Sequence, residues 1–265
     1  MDQILLSNLQ GPEWVVLREI TGVEEQAITS TSTLDAIKLL DALVVSDYDG
    51  ALQQGEVANL TPWDRDQLLA MVYKRIYGSK IESTIKCRQC GENFDMDFGL
   101  DDLVESLSPT SCETLGVTLQ GESYFQLGEG IGFRLPTGED ECAVIGLSPK
   151  EAKEALLARC VQGGLEVDTL AEYSGAIQST MEALSPLVDV ELDAQCAECG
   201  HGQRVHFDMQ HYLLSSIQGE RKRLMQEIHA LASNYGWSLS EILNLPRNQR
   251  RTLAGLVAVD DGVSL

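Results

Sequence analysis

The residues of this chain best suited to chemistry are four cysteines in two matching spacings. Cys87-Arg88-Gln89-Cys90-Gly91 and Cys196-Ala197-Glu198-Cys199-Gly200 each set two thiols three residues apart, with glycine directly after the second. On a hairpin turn this spacing puts both sulfurs on one side, as two corners of a tetrahedron. The glycine lets the turn relax so that backbone amides can face the sulfurs. Two such knuckles make a closed set of four thiolates, Cys87, Cys90, Cys196 and Cys199, with no open coordination position. The expected cofactor is therefore a structural Zn2+ rather than a catalytic one. Zinc motifs usually separate their halves by about 15–20 residues, whereas more than a hundred separate Cys90 from Cys196. The spacing reads as a zinc ribbon with a long region inserted between its knuckles. Reduced thiols without metal, a redox pair and an iron–sulfur centre are the alternatives. The redox reading is weak because neither CxxC opens a helix of a βαβ unit. His201 and His206 flank the second knuckle and read as exposed hairpin residues rather than ligands. Cys112, Cys142 and Cys160 lack partner spacing and read as buried free thiols.

Nothing else assembles into a catalytic centre, so no enzyme is expected. The remaining histidines, His211 and His229, like the two above, fall in no hydrolase elbow, zincin helix or triad context. Gly128-Glu129-Gly130-Ile131-Gly132 is glycine-rich but lacks a P-loop lysine and precedes a strand, so it reads as a hairpin connection.

The elements that must position the knuckles follow from periodicity. Ile81, Thr84 and Ile85 lead into the first CxxC, and Phe94, Met96 and Phe98 alternate after it, which makes a hairpin with the thiols at its tip. Val188, Val190 and Leu192, then Val205 and Phe207, repeat the pattern around the second, so the chain carries a two-copy internal repeat. Before the first hairpin, Trp14–Leu17 reads as a strand, Val23–Ile28 as a short helix, and residues 33–45 as a helix with one apolar face. Thr61-Pro62 caps a helix that runs to Tyr77 and stops at Gly78. Between the hairpins, Val117–Leu119 and Ile131–Leu135 are β-like and Pro136-Thr137-Gly138 is a turn. Ser148 and Glu151 form a capping box for a helix to Cys160, closed by Gly163-Gly164, and a second helix spans 167–184. After the second hairpin, Met209–Tyr235 reads as one long helix. A short helix from Ser238 to Leu245 and a last one over Asn248–Val257 follow, with residues 260–265 frayed. The expected fold class is α+β. It is divided into N-terminal strand and helices (1–78), a split zinc ribbon (79–100 plus 188–208), an inserted αβ region (101–187) and a C-terminal helical region (209–265).

Composition narrows the function classes. The 265 residues hold 19 Lys+Arg against 41 Asp+Glu, for a net charge of −22, which disfavours phosphate backbones and anionic membranes as partners. Mean hydropathy is −0.09 and no apolar run approaches the roughly 18 residues of a membrane span. The N-terminus shows no signal peptide, so a reducing cytoplasm is the expected setting. Residues 1–203 hold 12 basic and 35 acidic side chains, whereas residues 204–265 hold 7 and 6. Arg221-Lys222-Arg223, Arg247, Arg250 and Arg251 therefore read as a solvated helix face, or as a docking surface for an acidic partner such as a second copy of this chain.

Several blocks together give the chain a family likeness. They are Leu17-Arg18-Glu19-Ile20-Thr21-Gly22-Val23-Glu24-Glu25, the two knuckles, Phe133-Arg134-Leu135-Pro136-Thr137-Gly138-Glu139-Asp140 with Leu156–Val161, and Ile228–Ala232 with Tyr235-Gly236-Trp237 and Glu241–Pro246. In this order they resemble the baseplate hub assembly family of contractile-tailed bacteriophages and related contractile injection systems. The resemblance implies a non-enzymatic tail protein, either an assembly chaperone or a small structural subunit. Its partners would be other tail or baseplate proteins, with self-association open, and no nucleic acid, membrane or small-molecule substrate. Its location would be the host cytoplasm during assembly and the virion tail or injection-system baseplate. The competing function is a zinc-ribbon adaptor in transcription or nucleic-acid handling, against which the acidic charge weighs.

Overall fold

The computed structural model describes residues 3–6, 14–121, 124–127, 131–162 and 167–260. In chain order the elements are β1 (Gln3–Leu5), β2 (Trp14–Val16), α1 (Gly22–Ala27), α2 (Thr33–Leu43), α3 (Pro62–Tyr77), β3 (Lys80–Lys86), β4 (Asn93–Gly99), α4 (Leu100–Ser106) and α5 (Cys112–Leu115). There follow β5 (Val117–Gln120), β6 (Tyr124–Leu127), β7 (Ile131–Phe133), α6 (Gly138–Ala143), α7 (Pro149–Cys160) and α8 (Val167–Leu184). The chain closes with β8 (Asp189–Gln195), β9 (Gly202–Asp208), α9 (Met209–Gly219), α10 (Arg221–Tyr235), α11 (Leu239–Leu243) and α12 (Arg247–Asp260). Among the described residues the sheets are small and antiparallel: β1-β2, β3-β4, β5-β6-β7 and β8-β9. With the helices they make an α+β fold, as the sequence predicts.

Two compact units divide the chain. The first contains β1, Glu13–Glu56 and Gln210–Leu265. There the apolar face of α10, Leu224, Ile228 and Leu231, packs with Ile242, Leu243 and Ala254. The second unit contains Val57–Met209. Its core joins Val117, Phe125 and Phe133 to Leu157, Ile177 and Met181, and the Phe125 and Phe133 rings stack 5.6 Å apart.

Local chemistry explains most element starts. Thr61, Ser148 and Ser238 cap α3, α7 and α11 with their side-chain oxygens, and Pro occupies the first turn of α3 and α7. Gly78 ends α3 at φ +91°, a conformation closed to most side chains.

Some expectations need correction. The long helix over Met209–Tyr235 is two helices, broken at Glu220, where Gly219 weakens the helical turn and the Glu220 amide bonds back only three residues, to Ile217. The Glu220 carboxylate pairs instead with Arg247 and Arg251. The basic tail is not a solvated face throughout. Arg250 is 0% and Arg247 3% exposed, and both are paired with Glu25. Glu25, the acid they share, lies more than two hundred residues upstream, out of reach of local pattern reading. Strand β6 and the short helices α4, α5 and α6 were not foreseen; each is too short to show a period. Residues 128–130, 163–164 and 261–265, on which the hairpin connection, the Gly163-Gly164 stop and the frayed end fall, lie outside the described residues.

Candidate metal centre

Hairpins β3-β4 and β8-β9 are built to one plan. Each pairs two seven-residue strands in full register, Lys86 opposite Asn93 in one and Gln195 opposite Gly202 in the other, leaving a six-residue turn. Inside each turn the first cysteine makes the same two backbone bonds. The Cys87 amide donates to Glu92 O (2.8 Å) and the Cys196 amide to His201 O (2.9 Å). The Gly91 amide donates to Cys87 O (3.0 Å) and the Gly200 amide to Cys196 O (2.9 Å). Gly91 and Gly200 hold φ +78° and +70°, the left-handed region the turn needs.

The two turns bring all four predicted thiols together. Their sulfurs lie within 4.8 Å of one another. Cys87 Sγ is 3.7 Å from Cys199 Sγ, and Cys90 Sγ is 3.8 Å from Cys196 Sγ. Four sulfurs at about 2.3 Å from a central Zn2+ form a tetrahedron with edges of about 3.8 Å. The donor set and its spacing therefore fit such an ion. Cys87 and Cys196 are buried and pack with Phe94 and Ala194, while Cys90 and Cys199 face outward.

Electrostatics favour a cation at this point. The Cys90 amide above all, and the Gln89 amide, bring the Cys87 thiol down to about 6 against the opposing effect of burial. At Cys90 the Glu92 amide acts in the same direction, but burial and the thiols of Cys87, Cys199 and Cys196 outweigh it and push the group up to about 12. Cys199 faces the His201 amide, yet it too is raised, by burial and by Cys87 and Cys196. One thiolate forms readily and its neighbours resist. Four thiolates at this separation require a positive charge between them.

The side chains that bind one hairpin to the other carry no signal in the sequence. Gln203 Oε1 accepts from the Arg88 amide (2.9 Å), and Gln203 Nε2 donates to Lys86 O (3.2 Å). Gln195 Nε2 donates to Gly200 O (3.1 Å), bracing the second turn. Phe98 and Phe207 meet edge to face at 5.1 Å at the other end of the strands. A glutamine gives no sequence signal for this role, because its partners are backbone groups.

His201 and His206 stay out of the thiol cluster. His206 is exposed, with Nδ1 3.3 Å from Asp189 and 3.5 Å from Glu191. Together with Asp208, His206 and Asp189 form a second close group on the hairpin's outer side. Cys160 is buried, as expected, and burial pushes its thiol up to about 11. Cys112 and Cys142 are only half-buried, which corrects their reading as core thiols.

A sequence model of the family described as "T4 bacteriophage base plate protein" matches residues 9–214, most of the chain and both knuckles. The chain belongs to this family. No curated protein and no solved structure gives a match. Membership makes this a phage baseplate protein, which points to the virion tail and to other baseplate proteins as partners. Among the described residues, no helix is long and apolar enough to cross a membrane.

Proposed function

We propose that this baseplate protein is a non-enzymatic part of baseplate hub assembly, as an assembly chaperone or a small structural subunit. Its paired hairpins would be fastened by one structural Zn2+ on Cys87, Cys90, Cys196 and Cys199. The observation that carries the metal reading is the sulfur spacing of 3.7 and 3.8 Å, the edge length of a tetrahedral thiolate site. A set of four sulfurs fills every position of a tetrahedral ion, so its contribution would be to folding free energy rather than to catalysis. The family description, that of a baseplate protein, supports the non-enzymatic role. Strong acidity would keep the subunit soluble before it docks, in the host cytoplasm during assembly. The test of the assembly role is co-purification of the tagged, metal-loaded chain with the other tail proteins of its phage. Capture of baseplate proteins by the wild-type chain, lost when the cysteines are replaced, is the expected result. A wild-type chain that captures none of them would contradict it.

A further inference from the structure

Two stretches far apart in sequence fold in the same way. Leu17-Arg18-Glu19-Ile20-Thr21-Gly22-Val23-Glu24-Glu25 and Phe133-Arg134-Leu135-Pro136-Thr137-Gly138-Glu139-Asp140-Glu141 share the pattern Arg-x-x-Thr-Gly-x-acid-Glu. In each, the arginine pairs through both terminal nitrogens with the acid six residues on, Arg18 with Glu24 and Arg134 with Asp140. It also donates to the carbonyl of the next residue, Glu19 or Leu135. The threonine amide and hydroxyl donate to that same acid, Thr21 to Glu24 and Thr137 to Asp140.

The likeness extends along the chain. Eleven residues after each threonine a serine caps the next helix, Ser32 for α2 and Ser148 for α7. Each of those helices returns to its starting strand through one antiparallel bridge, Leu17 to Val44 and Phe133 to Val161. The bonds around the bridges match as well. Arg18 N donates to Leu43 O and Arg134 N to Cys160 O, both at 2.9 Å, while Val45 N donates to Val16 O and Gln162 N to Gly132 O. A third helix and a CxxC hairpin follow in both: α3 and β3-β4, then α8 and β8-β9.

The last glutamate of each pattern receives a buried arginine, Glu25 through both carboxylate oxygens and Glu141 through one. Glu25 takes Arg250, which is 0% exposed, with Nη2 2.8 Å from Oε1 and 2.9 Å from Oε2. Glu141 takes Arg65, 4% exposed, through Nη1 at 2.5 Å. Arg250 and Arg65 are each the fourth residue of their helix, α12 and α3. The approach just before the helix is also shared. Pro246 bridges Thr21, and the Arg247 amide donates to Ile20 O (3.0 Å). In the second case Pro62 stands where Arg247 does and has no N–H to give, and the Gly138 amide donates to Leu60 O instead (3.1 Å). The glycine of the first pattern leaves room for this approach: a side chain on Gly22 would begin 2.8 Å from Leu243 Cδ2 and 3.0 Å from Arg250 Nη1.

We infer that residues 14–99 and 131–208 are two copies of one strand–three-helix–hairpin unit. Each copy carries a socket, Arg18–Glu25 and Arg134–Glu141, that accepts a helix N-terminus bearing arginine at its fourth residue. The ligand of the second socket is α3. The ligand of the first is the C-terminal helix α12, which lies beyond the stretch the family shares. The wide separation of the two CxxC motifs then follows from duplication, one knuckle per copy, rather than from an insertion. In the first socket the guanidinium is read as a fork across two carboxylates, Nη2 on Glu25 and Nε on Glu227, which a single ammonium does not reproduce.

Hydrogen–deuterium exchange on the full-length, metal-loaded chain tests this. Gly22→Ala blocks the first socket sterically, and Arg250→Gln and Arg250→Lys remove the fork. Each is expected to speed exchange in α12 at least tenfold relative to wild type while α3 and α8 keep their protection. Arg65→Gln is expected to do the same to α6 and not to α12, and Lys222→Gln to do neither. Wild-type protection of α12 in the Gly22→Ala and Arg250→Gln chains would overturn the proposal. So would an equal loss across α3, α8 and α12, because the arginine would then hold the whole fold rather than a docked helix. Full protection in Arg250→Lys would overturn the claim that the fork is read.

Discussion

At the scale of single residues, the thiol cluster is governed by what faces each sulfur. Cys196 is buried against Phe94 and Ala194, so serine at this position would both delete a ligand and bury a hydroxyl. Cys196→Ser is expected to lose the metal and about 3 kcal/mol or more of stability, a fall in Tm of roughly 6–12 °C for a chain of this size. Calorimetry of the purified variant reads this directly, and an unchanged Tm would refute it. Asp66 is a separate case. Its carboxylate accepts from the Val188 amide at 3.0 Å, and burial, aided by Asp208 and Glu141 and opposed by Arg65, raises it to about 7 from 3.8. A raised carboxyl binds its proton more tightly in the folded state. Its contribution is thus complete below about pH 4 and is lost as pH rises through 7. Asp66→Asn is expected to flatten that fall in stability between pH 4 and 7 in denaturant titrations. A slope identical to wild type would show that Asp66 does not carry it. The clustering of the four cysteines was legible from spacing alone, because two matched CxxC turns set their thiols at the same interval. Arg247 and Arg250 were not legible, because what makes them structural is Glu25, more than two hundred residues away.

At the scale of elements, starts were easier to read than lengths. Caps are local chemistry, and Thr61, Ser148 and Ser238 do what their type and the acid three residues on predict. The break at Glu220 was hidden because Leu213, Ile217, Leu224 and Ile228 keep a helical period across it. Strand β6 was missed because its partners, β5 and β7, are what define it. The knuckle turns offer a test at this scale. Gly91 and Gly200 both sit at positive φ, and a β-carbon added to them would meet nothing within 4 Å at Gly91 and only Gln195 Nε2, at 4.0 Å, at Gly200. Replacement by alanine therefore meets backbone strain rather than a clash. Each substitution is expected to cost about 1–2 kcal/mol and to speed metal loss to a chelator, with similar size at both turns as the matched geometry requires. Competition with a chromophoric chelator gives the rates, and a wild-type rate in either variant would contradict the role given to the turns.

At the scale of the whole molecule, an acidic chain is held by cations used economically. In the first unit, Arg247, Arg250 and Arg251 are spent on Glu25, Glu220 and Glu227 rather than left free for a partner. In the second, Arg134 and Arg159 close on Asp140, holding its carboxyl far below the ordinary range against the cost of burial. That stabilisation is present above about pH 4 and is lost as pH falls. The α+β class and the tail family were both readable from the sequence, since periodicity and several short blocks survive without knowledge of contacts. The likeness of the two hairpins was readable at the knuckles, where identical residues recur at identical spacing, whereas the shared Arg-x-x-Thr-Gly pattern gains meaning only from its contacts. The measurement that bears most directly on the account is elemental mass spectrometry of the purified chain, with thiols counted before and after denaturation. About one zinc per chain and four thiols that become reactive only on unfolding are expected. No bound metal, with all seven cysteines reactive in the folded protein, would contradict it.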